Sequence, residues 1–325
     1  MVEEDLSPEG EMDAHEGRPV VVGHDGSAPS CRAVDWAADE AARRRTGLVV
    51  LAAAGRASVA LRRASAAAGS PDAWPPPPAL QALHDLAEGG ADRARSRRPG
   101  LAVHAEAVAR GAAGALVEAS SGAGLVVVGS RGHAQADSAE PGSVALAVTA
   151  HATCPVVVVA GAPDIAAGLD RPVVVAVDGS TAALAAVRFA ADHAARATAP
   201  VRVLATWHLT AADAWAVTFW SHTYPYPTPQ AMLRSLAHQA TEAAVDLVRE
   251  RQPLVEVSGA AVEGAPGAVV ADASHGAGLV VVGARGHGGF AGLRLGSVSR
   301  AVVRTVACPV AVVPSPELPV DGTTL

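Results

Sequence analysis

The chain has 325 residues, of which 50% are apolar and 18% are charged. This composition is typical of a globular protein, and the length is sufficient for two domains with separate cores. The formal net charge is −7, which argues against a general nucleic-acid-binding protein. All 25 basic residues are arginines, so lysine Schiff-base chemistry and the phosphate-binding lysine of a P-loop are excluded.

The cysteines and the first residues indicate a protein of a reducing compartment. Cys31, Cys154 and Cys308 are too few and too widely spaced for a disulfide framework or a zinc cluster. Residues 1–17 carry seven acids and no base, so we expect a solvated acidic tail there, without a secretion or transit signal. No apolar run approaches the length of a membrane span, and we expect a cytoplasmic protein.

An internal repeat predicts the domain organisation. LVVVGSRGH at 125–133 matches LVVVGARGH at 279–287, an offset of 279 − 125 = 154. RPVVVGHDGS at 18–27 matches RPVVVAVDGS at 171–180, an offset of 171 − 18 = 153. The chain is therefore two copies of one unit of ordinary domain size. The predicted units are the tail 1–17, domain 1 (18–162), domain 2 (163–315) and a C-terminal tail (316–325).

Short apolar runs alternate with longer helix-forming segments along each copy. In the second copy, the predicted elements in chain order are a strand at 172–177, a helix at 182–197, a strand at 200–207, a helix at 230–251, a strand at 254–262, a helix at 268–275, a strand at 279–283, a helix at 297–306 and a strand at 309–313. Strands that are apolar throughout are covered on both faces, so the pattern predicts an α/β fold with a doubly wound parallel sheet in each copy. Ligands of such sheets bind at the carboxyl ends of the strands, where the strand order reverses.

The segment GARGHGGFAGLRLGS lies between the fourth predicted strand of domain 2 and the helix that follows it. Glycines allow main-chain N–H groups to approach a ligand, and the start of a helix adds unpaired N–H groups and the positive end of its dipole. Together they predict a site for a phosphate chain, in which Ser297 either caps its helix or donates to a phosphate oxygen. The alternative is a glycine-rich connecting loop, which is less favoured because the frame occurs twice in the same context. The frame consists of Gly283, Gly286, Gly296 and Ser297 in domain 2, and of Gly129, Gly132, Gly142 and Ser143 in domain 1.

At these residues the chain resembles the universal stress protein family, whose ATP-binding branch carries G-x2-G-x9-G-[ST] in this position and an Asp after the first strand. Asp178 and Asp25 match that Asp, and the motif, the Asp and a Cys-Pro strand occur in order in both copies. The resemblance implies two tandem doubly wound domains. Each would have a five-stranded parallel sheet in the order 3-2-1-4-5, flanked by helices, and the domains would pair through their last strands.

The resemblance also implies an ATP site, with Mg²⁺ as a further candidate ligand. Asp178 would contact the nucleotide near its ribose or a bound metal, and Ala205 with its neighbours, after the second strand, would meet adenine. The alternative for Asp178 is an ordinary turn residue in Asp-Gly-Ser. The residues implied to wrap the ribose and phosphates are Gly283, Gly286, Gly296, Ser297 and Val298.

The two copies differ inside the glycine frame. Domain 2 has HGGFAGLRL there, whereas domain 1 has HAQADSAEP, which includes Asp137, Glu140 and Pro141. Two carboxylates near a triphosphate would repel it, and the proline removes one N–H donor. We therefore hypothesise that domain 2 binds ATP well and that domain 1 binds it weakly or only with metal. The alternative is that the two carboxylates point to solvent.

Two features outside the motif leave alternatives open. The segment 207–229 holds six of the ten Phe, Trp and Tyr residues, and it forms either a lid or partner surface, or a long loop packed on its own domain. The last strands of both copies are hydrophobic and would lie at a sheet edge, which is usually paired or covered. They would pair either within the chain or between two chains of a homodimer.

The leading functional hypothesis is a regulatory ATP-binding protein of stress or dormancy, whose nucleotide state is recognised by a protein partner. No catalytic constellation is evident in the sequence. A slow ATP-hydrolysing enzyme is the second hypothesis, in which Asp178 and Mg²⁺ would position water. The third is an interaction protein that has lost nucleotide binding.

Overall fold

The structure is a computed structural model, and it describes residues 17–54, 77–132, 142–160, 171–209, 228–286 and 295–315. Apart from Gly17, both predicted tails lie outside the described residues. The predicted joint between the domains also lies outside them, so the exact domain boundaries stay predictions. Among the described residues, no helix is both long and apolar enough to cross a membrane.

Each half of the chain alternates strands and helices as the sequence predicts. The elements of domain 1 are β1 (Val20–Gly23), α1 (Ala28–Arg44), β2 (Leu48–Ala54), α2 (Pro77–Arg97), β3 (Val103–Gly111), α3 (Ala112–Ala119), β4 (Leu125–Gly129), α4 (Ser143–His151) and β5 (Val156–Val159). The elements of domain 2 are β6 (Val173–Val177), α5 (Thr181–Ala197), β7 (Val201–Trp207), α6 (Pro229–Arg251), β8 (Val257–Glu263), α7 (Pro266–Ser274), β9 (Leu279–Gly283), α8 (Ser297–Thr305) and β10 (Val310–Val313).

One strand begins later than its sequence suggests. The predicted third strand of domain 2 starts at Leu254, whereas β8 starts at Val257. The chain turns directly after α6, where the N–H of Val255 donates to the carbonyl oxygen of Gln252 at 3.0 Å. Leu254 is fully exposed in this turn, so its apolar character alone made it look like part of the strand.

The strands form one ten-stranded sheet, in the order β3-β2-β1-β4-β5-β10-β9-β6-β7-β8. Each half has the predicted order 3-2-1-4-5, and its five strands are parallel. The halves join through β5 and β10, which pair antiparallel with Val158 opposite Val310. The last strands thus pair within the chain, which was one of the two alternatives left open by the sequence.

Helices cover both faces of this sheet and bury its valine-rich strands. The central strands β4, β5, β9 and β10 are buried almost throughout, as expected for strands packed on both sides. One face packs against α1, α2, α5 and α6, and the other against α3, α4, α7 and α8. In each domain the first helix therefore lies on the opposite face from the last one, which makes the gap between strands 1 and 4 a switch point.

The two domains also meet through α1 and α5, around the fully buried carboxylate of Glu40. This carboxylate accepts hydrogen bonds from Arg43 Nε at 3.1 Å and from Arg44 Nε at 2.7 Å. His193 Nδ1, from domain 2, lies 3.2 Å from Glu40 Oε2 without the geometry of a hydrogen bond. Burial alone would raise the pKa of Glu40, but His193, Arg44 and Arg43 outweigh it and hold that pKa well below its usual range.

Aromatic rings surround this buried charge. The His193 ring stacks on Trp36 of domain 1, with centroids 6.0 Å apart, and on Phe189 of its own domain, with centroids 6.4 Å apart. The guanidinium of Arg44 lies 5.5 Å from the centroid of Phe189, a cation–π distance. The domain contact therefore combines apolar packing with buried charge.

Candidate functional site

The candidate site of domain 2 lies at the carboxyl ends of β6 and β9, where the strand order reverses. These two strands pair in parallel, with Val175 opposite Val281. Asp178 directly follows β6, and Gly283 is the last residue of β9. The fold therefore brings the predicted Asp and the predicted glycine loop to the same edge of the sheet.

Asp178 and Gly286 are in direct contact. A Cβ atom on Gly286 would collide with Oδ2 of Asp178, so only glycine allows the loop to pass this close to the carboxylate. The other carboxylate oxygen, Oδ1, accepts the N–H of Ser180 at 3.0 Å. This bond is the turn role that the sequence offered as the alternative for Asp178, and it leaves the contact with the loop in place.

Glycine is required at position 283 for a separate structural reason. A Cβ atom there would lie 2.8 Å from the carbonyl carbon of Ala182, in the first turn of α5. Gly129 in domain 1 is packed in the same way, since an added Cβ would lie 2.8 Å from the carbonyl carbon of Pro29. Close packing of a helix start against the strand end explains both glycines without a ligand, and their contact with ribose or phosphate stays a prediction.

No comparable steric contact requires a glycine at position 296. It is the N-cap residue of α8, with φ −68° and ψ 163°, and the nearest atom to an added Cβ would be the Ala284 carbonyl oxygen at 3.4 Å. Ser297 is the exposed first helical residue and makes no capping hydrogen bond, so the structure does not show the capping role that the sequence allowed for it. Val298 is half-buried and packs on the apolar cluster below.

Hydrogen bonds fix the start of α8 to Gly283 and Ala284, at the end of β9. The N–H of Gly296 donates to the carbonyl oxygen of Ala284 at 2.8 Å, and the hydroxyl of Ser299 donates to that of Gly283 at 2.6 Å. The ends of the glycine loop are thereby held together, and the helix begins against Ala284, two residues before the Gly286 that contacts Asp178. Among the residues that the structure describes, no side chain caps α8, in contrast to α5, whose N-cap Ser180 accepts the N–H of Ala183.

Ala205 lies within β7 rather than after it. It pairs with Val177, the residue before Asp178, and only 1% of its surface is exposed. Its side chain belongs to the core, so any contact with adenine would come from its backbone or from the following residues. Trp207, at the end of β7, is the next residue on the same face of the sheet.

Domain 1 builds the same arrangement from Asp25 and Gly132. A Cβ atom on Gly132 would lie 2.6 Å from Asp25 Oδ2. Gly142 is the N-cap of α4, without a capping side chain, and its N–H donates to the carbonyl oxygen of Ser130 at 2.7 Å. Ser143 is the exposed first residue of that helix. The residues between them in the frame, including Asp137, Glu140 and Pro141, lie outside the described residues.

Domain 1 differs in a buried polar network that sequence reasoning missed. His24 stands where domain 2 has Val177, and its Nδ1 lies 3.2 Å from the hydroxyl of Ser30. Burial lowers the pKa of His24. Asp25 Oδ1 also accepts the hydroxyl of Ser27 at 2.6 Å, a side-chain bond in addition to the backbone bond from the same residue. The difference between VGHDGS and VAVDGS in the repeat was the signal for this network.

A model of the universal stress protein family matches residues 17–160 and again residues 171–314. The chain belongs to the universal stress protein family. A universal stress protein of Mycobacterium tuberculosis is 31% identical over 307 residues, which cover 90% of this chain and 95% of the relative. A universal stress protein of Mycolicibacterium smegmatis is 29% identical over 305 residues, covering 90% of this chain and 96% of the relative.

Solved structures support the fold of this universal stress protein. The crystal structure of a universal stress protein from Archaeoglobus fulgidus has a TM-score of 0.63 at 17% identity, covering 93% of this chain and all of that one. A protein from Pseudomonas aeruginosa, described as functionally unknown, has a TM-score of 0.58 at 16% identity, covering 94% of this chain and 95% of its own. Likeness at this level of identity concerns the fold alone.

A pocket of about 490 Å³ lies between the end of β7 and the first turns of α6. Trp207 was predicted only as part of the aromatic segment 207–229, of which 210–227 lies outside the described residues, and the helix residues were not predicted. The pocket is lined by Trp207, Gln230, Ala231, Arg234, Ser235 and His238.

The remaining candidate groups carry no chemistry of their own. Cys154 and Cys308 are buried, and burial raises the pKa of both thiols to about 12, so they pack as small apolar residues. Among the residues that the structure describes, no group of three or more His, Cys, Asp or Glu side chains could hold a metal ion.

Proposed function

We propose that this universal stress protein binds ATP at the carboxyl ends of β6 and β9 in domain 2, as a cytoplasmic regulatory protein of stress or dormancy. The observation that carries the proposal is the start of α8. Its N-cap is Gly296, no side chain of the described residues caps it, and it is bonded to Ala284, two residues before the Gly286 that contacts Asp178. A helix start of this kind offers unpaired N–H groups and a positive dipole end to a phosphate chain.

The residues present fit the parts of a nucleotide. Ser297 is exposed and adds a hydroxyl donor to the N–H groups of the helix start. Asp178 would take the ribose hydroxyls or a Mg²⁺ ion that also binds the phosphates, since carboxylate and phosphate oxygens are the ligands that Mg²⁺ prefers. Adenine would lie beyond Ala205, near the end of β7.

We further propose that the two domains bind ATP unequally. In domain 1 the stretch between the frame glycines contains two acids that domain 2 lacks. Their negative charges disfavour a triphosphate by repulsion. Domain 2 would hold the tighter site.

Calorimetric titration of ATP·Mg²⁺ into the full chain, after bound nucleotide has been removed, tests the proposal. We expect one tight site, which Asp178→Ala weakens strongly and the matched change Asp25→Ala leaves intact. Absence of saturable binding would refute the nucleotide function, and two equal sites would refute the inequality of the domains. Steady phosphate release that disappears in Asp178→Ala would instead favour the slow ATP-hydrolysing enzyme.

A further inference from the structure

The outermost strand of domain 2, β8, forms one of the two edges of the ten-stranded sheet. The carbonyl oxygen of Glu256 accepts the N–H of Val201 at 2.8 Å, and the N–H of Gly264 donates to the carbonyl oxygen of Trp207 at 3.0 Å. Successive residues of a strand direct their main-chain groups to its two sides in turn, so the even-numbered residues of β8 face β7. The residues of β8 whose N–H and C=O groups point away from the sheet include Val257, Gly259 and Ala261.

These outward main-chain groups are not used by the fold. Val257, Gly259 and Ala261 make no hydrogen bond outside the sheet with any residue that the structure describes. Gly259 is exposed, and the other two are half-buried. A row of unpaired donors and acceptors at a sheet edge can pair with a further strand.

The opposite edge of the sheet, β3, provides an internal comparison. It aligns with β8 at an offset of 154, because the carbonyl oxygen of Ala102 accepts the N–H of the second strand as that of Glu256 does, and 256 − 154 = 102. The outward carbonyl oxygen of Val103 accepts Arg95 Nη2 at 3.1 Å, which partly closes the edge of β3. The matching Arg249, since 249 − 154 = 95, bonds instead to a carboxylate of its own helix, so the edge of β8 stays open.

The strand β8 also lacks the charges that β3 carries along its length. Sheet edges are commonly protected from unwanted pairing by charged side chains. β3 has Glu106 and Arg110, which are both exposed. The matching residues of domain 2 are Ala260 and Gly264, since 260 − 154 = 106 and 264 − 154 = 110. The two halves of the repeat therefore differ in how far they protect their outer strands.

The ends of β8 indicate which kind of partner it fits. Leu254, three residues before the strand, is fully exposed where domain 1 has Gly100, since 254 − 154 = 100. Glu256 and Glu263 are exposed, and neither makes an ion pair with a described residue. Arg202, an exposed base nearby, lies on β7, one strand in from the edge. The edge thus combines unpaired main-chain groups with an apolar side chain and with a carboxylate at each end.

We propose that the edge of β8 is a docking site for an extended segment of a partner protein, which adds a strand to the sheet and places basic side chains beside Glu256 and Glu263. Main-chain hydrogen bonds supply affinity in this mode of recognition, and side chains supply specificity. A second copy of this chain fits less well. Antiparallel pairing of two β8 strands would bring Glu256 of one copy to the end where Glu263 of the other lies, and like charges across a strand pair are destabilising. The site does not depend on ATP binding in domain 2.

Fluorescence-anisotropy titration of the full chain with labelled peptides tests this site. The peptide RTVTVTVR has its arginines at the spacing of Glu256 and Glu263, and the control peptide ETVTVTVE carries the opposite charge. We expect saturable binding of the arginine peptide, roughly tenfold or more tighter than that of the glutamate peptide. Combining Glu256→Gln with Glu263→Gln changes two exposed carboxylates and should remove this preference without affecting the fold.

A proline at the edge tests the strand pairing itself. Proline is tolerated in an edge strand where its missing N–H would face solvent, so Ala261→Pro should keep β8 paired with β7. It removes one outward donor and should weaken binding of the arginine peptide by roughly tenfold or more. The matched control Ala107→Pro makes the same change in β3, since 261 − 154 = 107, and should leave the affinity unchanged. Urea unfolding shows whether each variant is folded, and the glutamine variant decides if Ala261→Pro is not.

Failure of the arginine peptide to bind, equal affinity of the two peptides, or an equal loss in both proline variants would overturn the proposal. Sedimentation of the full chain at rising concentration tests the occupant. A dimer that Ala261→Pro abolishes would make a second copy the occupant and overturn the assignment to a partner protein, whereas a monomer that binds the arginine peptide supports it. Because the peptides are not nucleotides, this result and the ATP titration succeed or fail independently.

Discussion

Gly296→Ala separates a ligand-binding role of the glycine frame from a purely structural one. Its φ of −68° suits any residue, and the added methyl group would meet its nearest protein atom at an ordinary contact distance of 3.4 Å. Glycine is a better N-cap than alanine by less than about 1 kcal/mol. We therefore expect the free energy of unfolding to fall by no more than that amount.

The same substitution should reduce the affinity for ATP much more than it reduces stability. A methyl group at the start of α8 would stand where the phosphate chain approaches the first N–H groups. Loss of one hydrogen bond to a charged group costs about 1.5–3 kcal/mol. This corresponds to a rise in the Kd for ATP of roughly 10- to 150-fold.

Urea unfolding and calorimetric ATP titration of the same variant measure the two effects, with Gly283→Ala as the control. There the added Cβ would lie 2.8 Å from backbone atoms of Ala182, an overpacked contact that costs about 1–3 kcal/mol of stability. A folded Gly296→Ala chain with unchanged ATP affinity would refute the phosphate position at α8. A large loss of stability in that variant would refute the steric reasoning.

Three further predictions concern titrating and thiol groups. Because burial lowers the pKa of His24 in the folded chain, the free energy of unfolding should fall as the pH drops below about 6.5. His24→Val introduces the residue of domain 2 and should reduce that fall, measured as urea midpoints between pH 7 and pH 5. The pKa of Glu40 is held well below its usual range, so its contribution to the free energy of unfolding is complete above a pH of about 4.5 and is lost as the pH falls further. Glu40→Gln should lower stability at pH 7 and make stability depend less on pH below about 4.5. An unchanged pH dependence in that range would contradict the assignment. A thiol reagent at mildly alkaline pH should modify Cys31 in the folded chain, whereas the buried Cys154 and Cys308 should react only after unfolding. Rapid modification of all three would contradict this and would show that the chain before β5 and β10 opens readily.

The fold could be predicted largely because the repeat and the valine-rich strands are strong local signals. Strands such as LVVVG at 125–129 and 279–283 are buried on both faces and could be recognised without tertiary information. The order of strands came from the family resemblance and was confirmed. The start of β8 was misplaced because Leu254 is apolar and exposed, and only the turn after α6 distinguishes it from a strand residue.

The site was predictable as a set of residues but not as a set of roles. Sequence spacing found Gly283 and Gly286, but whether a Cβ would meet a helix or a carboxylate depends on where α5 and Asp178 lie in space. Ser297 looked equally suited to capping, and only the position of Gly296 as N-cap decides against it. The pocket residues on α6 were missed because Arg234 and His238 look like an ordinary exposed helix face until the end of β7 is placed opposite them.

The contact between the domains shows that the two copies have diverged in pairing as well as in their sites. Glu40 and His193 occupy corresponding positions, since 193 − 40 = 153, and so do Trp36 and Phe189, since 189 − 36 = 153. A pair of identical domains would bring each residue against its own copy near a twofold axis. Here His193 of domain 2 lies against both Glu40 and Trp36 of domain 1, so the two domains contribute different residues to one cluster. The two halves therefore place different residues at corresponding positions of their contact, as they do at His24 and Val177 beside their candidate sites.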